Sequence, residues 1–426
     1  MFNLSTDIKV RKFEYFYLWI MVIYMSQMLP ETKKMSSGLD ISVSFLLPII
    51  LTVVLCLRNK ISFYNKSLAK VLLLLSLWVA AIVVKYKSSI LSNPSQLSYY
   101  FFLYYSVIVA YIHIKVFDKK LVNIYEDIIV KLSLVSLFLW GIGQLIPMIP
   151  ASVYSQFTES GRGYNILYTF KWMYGTENSY RNAGCSWEPG MFSCIVILAI
   201  NCNILRMHKI RLRNNPNLII LTATLISTFS TTGYIASIVL LFYIKHWYKI
   251  KDLINTTLII IPVTFIVMQF DFMYKKIEKQ MDLSNYEDFT EIAYYADIDK
   301  EKGEYVSSVS RFQTLEFQMI NINNDPVLGY GLSRENSFFY NNISSHFSLP
   351  GGLLAVFANF GMILGFILYY MMYKSSASLV SDFSYDKRKL FFFTMILTSV
   401  SYNIFTIPVF MYFWLYKYFK NPLLKV

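Results

Sequence analysis

The sequence predicts an all-α polytopic integral membrane protein with roughly 10 to 12 transmembrane segments, and three observations support that class. Of its 426 residues 55% are hydrophobic and only 15% charged, far too apolar for a soluble chain of this length. The apolar residues come in runs of about 20, the length that carries a helix across a bilayer. Basic residues gather at the ends of those runs, as the positive-inside bias of cytoplasmic loops requires. One interval breaks the pattern. Between Asp271 and Ser345 the chain carries 13 Asp or Glu against 7 Lys or Arg, whereas the rest is mainly basic. It predicts one large outer, periplasmic loop with short helices, folded as a lid over a site that the membrane helices build. The chain therefore divides into N-terminal helices (1–270, with an outer loop at 150–187), the large loop (271–348) and C-terminal helices (349–426).

Taken in order, apolar runs cover Phe13 to Leu29, Leu39 to Leu57, Leu68 to Val84, Leu97 to Phe117 and Ile128 to Ile149. With a cytoplasmic N-terminus they place the Lys-rich segments 58–66 and 115–131 inside. The run from Pro189 to Leu205 returns to RMHKIRLR, the densest basic cluster. The next, NLIILTATLISTFSTTGYIASIVLLFYIK, is basic at both ends and broken by Ser230, Thr231, Thr232 and Gly233. Two short helices meeting at that break satisfy the charge parity, and broken backbone at membrane depth is tolerated where protein or a wet cavity covers it. A single tilted helix is the alternative.

A run from Ile254 to Phe270 leads to the large loop, where Ile277, Met281, Phe289, Ile292, Phe312, Leu315, Phe317 and Met319 suggest short helices. Pro350 opens a run to Tyr373. Leu390 to Phe419 is interrupted at Ser399 to Asn403 and suggests a second pair of short helices. Both termini fall inside.

A net charge of +13 does not imply nucleic acid, because the basic residues form no module. Cysteines 56, 185, 194 and 202 lack metal-ligand spacing, and Cys56, Cys194 and Cys202, which fall in apolar runs, read as small buried side chains. The outer acidic residues form no tight cluster, so neither metal nor cofactor is expected.

Of ten arginines, Arg162, Arg181, Arg311 and Arg334 fall in outer loops, against the bias. Either they make surface ion pairs, or they converge on a phosphate or diphosphate. Glu188 begins a helix before Pro189, where a carboxylate is stabilising by itself or holds an arginine or a sugar hydroxyl. His346 is the only histidine expected outside and is a candidate proton acceptor. His113, His208 and His246 read as flanking polar residues.

Four stretches carry a resemblance: RNAGCSWEPGMFS, TLISTFSTTGY, SRFQTLEFQMININNDPVLGYGLS and SSHFSLPGGLLAVFANFGMILG, within about residues 181 to 365. In this order they resemble the bacterial O-antigen polymerase and ligase superfamily. The resemblance implies a metal-independent, inverting membrane glycosyltransferase of the inner membrane. Donor and acceptor would be polyprenyl (undecaprenyl) diphosphate-linked oligosaccharides, as for O-antigen or capsule. A chain-length regulator and a flippase are the implied partners. Arg181 and Arg311 match the diphosphate-binding arginines, His346 the catalytic histidine, and Pro326, Gly329 and Gly331 the loop's turn; Glu188 and Arg334 would orient substrate. Thr231 and Thr232 stand where relatives often carry Ser-Arg. Phe347 stands where Asn usually follows the histidine, which leaves Asn336 as an alternative match. Ligase, flippase and non-enzymatic partner-binding readings remain open. Polymerase is favoured by the 34 tyrosines, and an enzyme is favoured over a transporter because the halves do not repeat and the helix interiors carry almost no charge.

Overall fold

A computed structural model describes residues 11–25, 43–145, 181–186, 189–208, 215–244, 311–342, 352–400 and 407–420. Among these residues the regular elements are all helical and none is a strand. The first half contributes α1 (Lys12–Met25), α2 (Val43–Arg58), α3 (Lys66–Lys85), α4 (Lys87–Ser92), α5 (Leu97–Phe117), α6 (Lys120–Leu145), α7 (Pro189–Met207), α8 (Pro216–Ser227) and α9 (Thr231–Ile244). The second contributes α10 (Arg311–Asn324), α11 (Phe338–Asn342), α12 (Ala355–Asp382), α13 (Leu390–Ser399) and α14 (Pro408–Phe419). Five of them are long and apolar enough to cross a membrane: α3, α5 with the turn before it, α6, α7 and α12. Leu77, Phe101, Phe138, Ile363 and Phe366 stand exposed on four of these helices. A bilayer's hydrocarbon is the environment that accepts such a surface. These are the features of a membrane protein.

Polar pins hold the helix ends together on one face, which we term the basic face. Tyr416 Oη lies 2.9 Å from both Asp118 Oδ1 and Asp382 Oδ2, its one proton shared between them, and Lys420 pairs with Asp382 at 3.0 Å. These bonds gather the ends of α5, α12 and α14. Arg206, at the end of α7, forks onto Glu126 of α6 at 2.7 and 2.8 Å. Asn203 and Asn217 add donors to the same carboxylate at 2.7 and 2.9 Å. Glu126 is 1% exposed, and only this complete set of donors makes its burial tolerable.

From that face two short helices rise beside α7. Asn203 pairs with Asn215, the N-cap of α8, and Ser193 pairs with Ser230 just past its end. Asn201 meets Thr394 of α13, and Cys194 meets Thr398 one turn later. Helices of 12 and 10 residues rise about 18 and 15 Å. Both therefore stop at the level of Ser193 and Cys194, one turn inside the start of α7. The break after Ser227 is the expected pair of short helices, not one tilted helix. The second interruption falls after Ser399, with 401–406 outside the described residues.

Four expectations are corrected. Helix α6 begins at Lys120 rather than Ile128, so its interior carries Glu126, Asp127 and Lys131; the charges are held by Arg206 and by a Lys131–Asp127–Tyr15 cluster. His113 is not a flanking residue. It is fully buried in α5, with Nε2 2.9 Å from Tyr17 Oη of α1. Helix α12 runs on to Asp382, past Tyr373, because Ser375 and Ser376 bond the backbone of Lys417 and of Arg388 and Phe392. Finally, α10 is a short helix where one was expected around Phe312 to Met319, but the stripe it buries is Thr314, Phe317, Gln318, Asn321 and Ile322, with Leu315 only partly buried and Met319 exposed. Its underside meets α11 and the start of α12 through amides as much as through apolar groups.

Candidate functional site

Two polar groups of residues stand out, on different helices. The first is a cap over the ends of α3, α5 and α12. Helix α12 is interrupted at Gly361, whose φ of 75° and ψ of 164° only glycine adopts readily. Such a break leaves helix backbone groups without partners inside the protein. The turn from Pro326 to Gly331 supplies them. Met362 N–H donates to Pro326 O at 2.7 Å, while Tyr330 and Gly331 N–H donate to Ala358 and Asn359 carbonyls at 3.0 Å. Gly329 and Gly331 both take positive φ to do this, and a side chain at Gly329 would strike the Ala358 and Asn359 carbonyls.

The cap is tied to the membrane helices from two further sides. Trp78 Nε1 of α3 donates to Leu328 O at 3.0 Å. Asp325 receives Lys85 and, at 2.5 Å, the Tyr86 hydroxyl. Burial first, then the Asp325 carboxylate beside it, pushes the Tyr86 phenol's pKa up. On the α5 side, Glu335 accepts from Asn93 at 3.0 Å and Gln96 at 2.7 Å, and Asn336 donates to Gln96 at 3.3 Å. Arg334 is exposed, its guanidinium 5.6 Å over the Tyr340 ring. Phe317 and Phe339 hold α10 to α11 with ring centroids 4.3 Å apart, and Asn321 accepts the Phe339 N–H at 3.0 Å.

Four buried amide atoms in this cap have no hydrogen-bond partner among the described residues: Gln318 Oε1, Asn321 Nδ2, Asn336 Oδ1 and Asn359 Oδ1. Each such group costs roughly 1–3 kcal/mol of desolvation. A fold that only needed packing would fill these positions with apolar side chains.

The second group surrounds the break between α8 and α9. Asn182 donates through its side chain to Ser136 and Ser227 at 3.2 and 3.0 Å, and through its backbone to Ser227 O at 2.9 Å. That anchor sets Arg181 beside the break, with Nε donating to Thr228 O at 3.2 Å. The guanidinium also acts through space on the Tyr234 phenol of α9. Phe229 takes a φ of 46°, unusual for a bulky residue. Ser230 caps α9, its Oγ accepting the Gly233 N–H at 3.2 Å. Thr231 and Thr232 open α9, half-buried. Arg181 and the threonine-bearing start of α9 thus flank one break, and a cation beside a helix N-terminus is a pairing that favours an oxyanion.

Of the site residues expected from sequence, Arg181, Thr231 and Thr232 lie together. Gly329, Gly331, Arg334 and Asn336 lie together in the cap. Arg311 opens α10, its side chain outside the described residues; Glu188, His346 and Arg162 also lie outside them. Sequence reasoning missed Trp78, Lys85, Tyr86, Gln96, Asp325, Glu335, Asn359 and Gly361. The sequence carries no signal that sets the last two apart, because a glycine after Phe-Ala-Asn-Phe is ordinary in a membrane helix. Among the described residues no group of His, Cys, Asp and Glu is arranged to hold a metal ion. No family profile, curated protein or solved structure matches the chain.

Proposed function

We propose that this chain is an O-antigen or capsular polysaccharide polymerase, an inverting glycosyltransferase that joins oligosaccharide repeat units linked to polyprenyl diphosphate. The supporting observation is the guanidinium of Arg181 beside the start of α9, at the buried break between two short helices. Helix N-termini and arginine forks favour phosphate oxygens, and low polarity around them strengthens the attraction. In this reading 10 to 12 segments cross the bacterial inner membrane with both termini inside, and the cap lies on the periplasmic side.

The acceptor sugar's hydroxyl oxygen forms a bond to the anomeric carbon of the donor. The bond from that carbon to the diphosphate oxygen breaks, and its electron pair leaves with polyprenyl diphosphate. The hydroxyl proton goes to a base, for which His346 is the candidate. Arg181 and Arg311 offset the charge that develops on the diphosphate, Thr231 and Thr232 donate to its oxygens, and Glu188 and Arg334 orient the sugars. No protein nucleophile is needed, because the leaving group is already activated.

The test is Arg181→Ala in the full chain, assayed for release of polyprenyl diphosphate from a lipid-linked repeat unit. Loss of one donor to a developing oxyanion lowers turnover about 100- to 1,000-fold. Arg181→Lys keeps the charge but not the fork and should retain intermediate activity. Unchanged turnover in the alanine variant would remove Arg181 from the mechanism.

A further inference from the structure

The cap contains a second recognition chemistry, different from the cationic break at Arg181. We infer that Gln318, Asn321, Asn336 and Asn359 form a subsite for an uncharged sugar ring of the growing glycan. The inference deepens the polymerase reading and rests on it for the class of ligand.

Three of the four partnerless atoms are amide oxygens and one is an amide nitrogen, all on side chains at most 7% exposed. A ligand that satisfies them must offer both donors and acceptors and carry no charge. An anion would meet the three oxygens, and a simple cation would leave the Asn321 nitrogen unanswered. A pyranose presents hydroxyl groups that do both. The remaining bonds of the amides hold them in position. Asn321 is fixed by the Phe339 N–H and Asn336 by Gln96. Gln318 bonds Tyr330, whose own backbone is tied to Ala358. Asn359 stands at the Gly361 break, its carbonyl held by Gly331. Tyr330 and the Phe317–Phe339 pair add aromatic faces of the kind that cover a sugar's C–H surface.

Gln318 and Asn321 lie on α10, Asn336 at the end of the turn and Asn359 at the start of α12, so α10 must shift to admit a ring. Its hold on α11 is one ring pair and the Asn321–Phe339 bond, and Ile322 packs on Tyr330 and Ala358, whereas the turn is fixed to α3 and α12 by backbone and indole hydrogen bonds. A helix that lifts from a fixed polar floor would admit a chain of repeats and then enclose one unit.

A structural role and a binding role make opposite demands on these residues. Asn359 makes no side-chain hydrogen bond among the described residues, so Asn359→Leu removes an unsatisfied atom and loses no bond. The full chain in lipid nanodiscs is probed by saturation-transfer NMR against the methyl glycosides of glucose, galactose, N-acetylglucosamine and rhamnose. Thermal exposure of the buried cysteine thiols is followed in parallel. The expected result is transfer to the ring protons of at least one glycoside, weakened about tenfold in Asn359→Leu and in Gln318→Met. The unfolding temperature of Asn359→Leu should be unchanged or raised. No transfer in the wild type, equal transfer in both variants, or a lower unfolding temperature for Asn359→Leu overturns the subsite. Polymerisation is scored separately. Activity together with undiminished glycoside binding by the variants removes the subsite and keeps the polymerase. Glycoside binding by the wild type that the variants abolish, with no transfer by the wild type from any lipid-linked donor, keeps the subsite and removes the polymerase.

Discussion

Gly361→Ala tests how the cap is held, and its size can be worked from the backbone. At φ 75° and ψ 164° a side chain costs about 1–3 kcal/mol in conformation alone. The new Cβ would also run into the Val327 carbonyl and Leu328 nitrogen, which are backbone atoms and cannot rotate away. The turn must withdraw, giving up the bonds from Met362, Tyr330 and Gly331 at 2.7 to 3.0 Å. Each contributes about 0.5–1.5 kcal/mol, so the docked cap should lose roughly 3–7 kcal/mol. Hydrogen exchange with mass readout on peptides covering 326–332 and 355–365 measures the loss directly. At 1.4 kcal/mol per decade, protection should fall by a hundredfold or more, while peptides from α6 and α7 stay unchanged. Protection within tenfold of the wild type would refute the claim that the turn closes the helix break.

Other perturbations follow from single contacts. Glu126→Ala leaves the half-buried Arg206 and the amides of Asn203 and Asn217 without their carboxylate and should cost about 3–5 kcal/mol, seen as a lower temperature for exposure of the thiols of Cys194 and Cys202. Trp78→Phe removes the bond to Leu328 O and should loosen the 326–332 peptide by about 1 kcal/mol without altering insertion. Lys85→Met should change stability by no more than about 1 kcal/mol, because both partners of its pair with Asp325 are partly exposed. Arg311→Ala should abolish polymerisation while the protein remains abundant and inserted; normal-length product would remove Arg311 from the diphosphate site.

Hydropathy made most of the membrane helices legible, because an apolar run bounded by charge has few other readings. The start of α5 at Leu97 and its end at Phe117 coincide with the run itself. The α8–α9 break was legible too, since Ser, Thr and Gly at the centre of a run with basic ends leave little choice. The beginning of α6 was hidden because Glu126 and Asp127 look like loop residues until Arg206, 80 positions away, supplies the partner. The Gly361 interruption was hidden for a similar reason. A lone glycine in Phe-Ala-Asn-Phe-Gly is ordinary in a membrane helix, and only the turn at Pro326 makes a break there stable. At the candidate site, Arg181 and the threonines were visible as a basic residue and a polar break, but their meeting is a product of Asn182 anchoring to Ser136 and Ser227. The amides of α10 carry no sequence signal, since Gln and Asn at buried helix positions look like solvated ones.

The central claim is glycan transfer from a lipid diphosphate, and one reconstitution tests it most directly. The purified chain in liposomes is incubated with repeat units linked to polyprenyl diphosphate, and products are resolved by size. A polymerase yields a ladder of lengths with one polyprenyl diphosphate released per bond formed. Unchanged donor contradicts it, and a single transfer seen only when a lipid-core acceptor is added would identify a ligase instead.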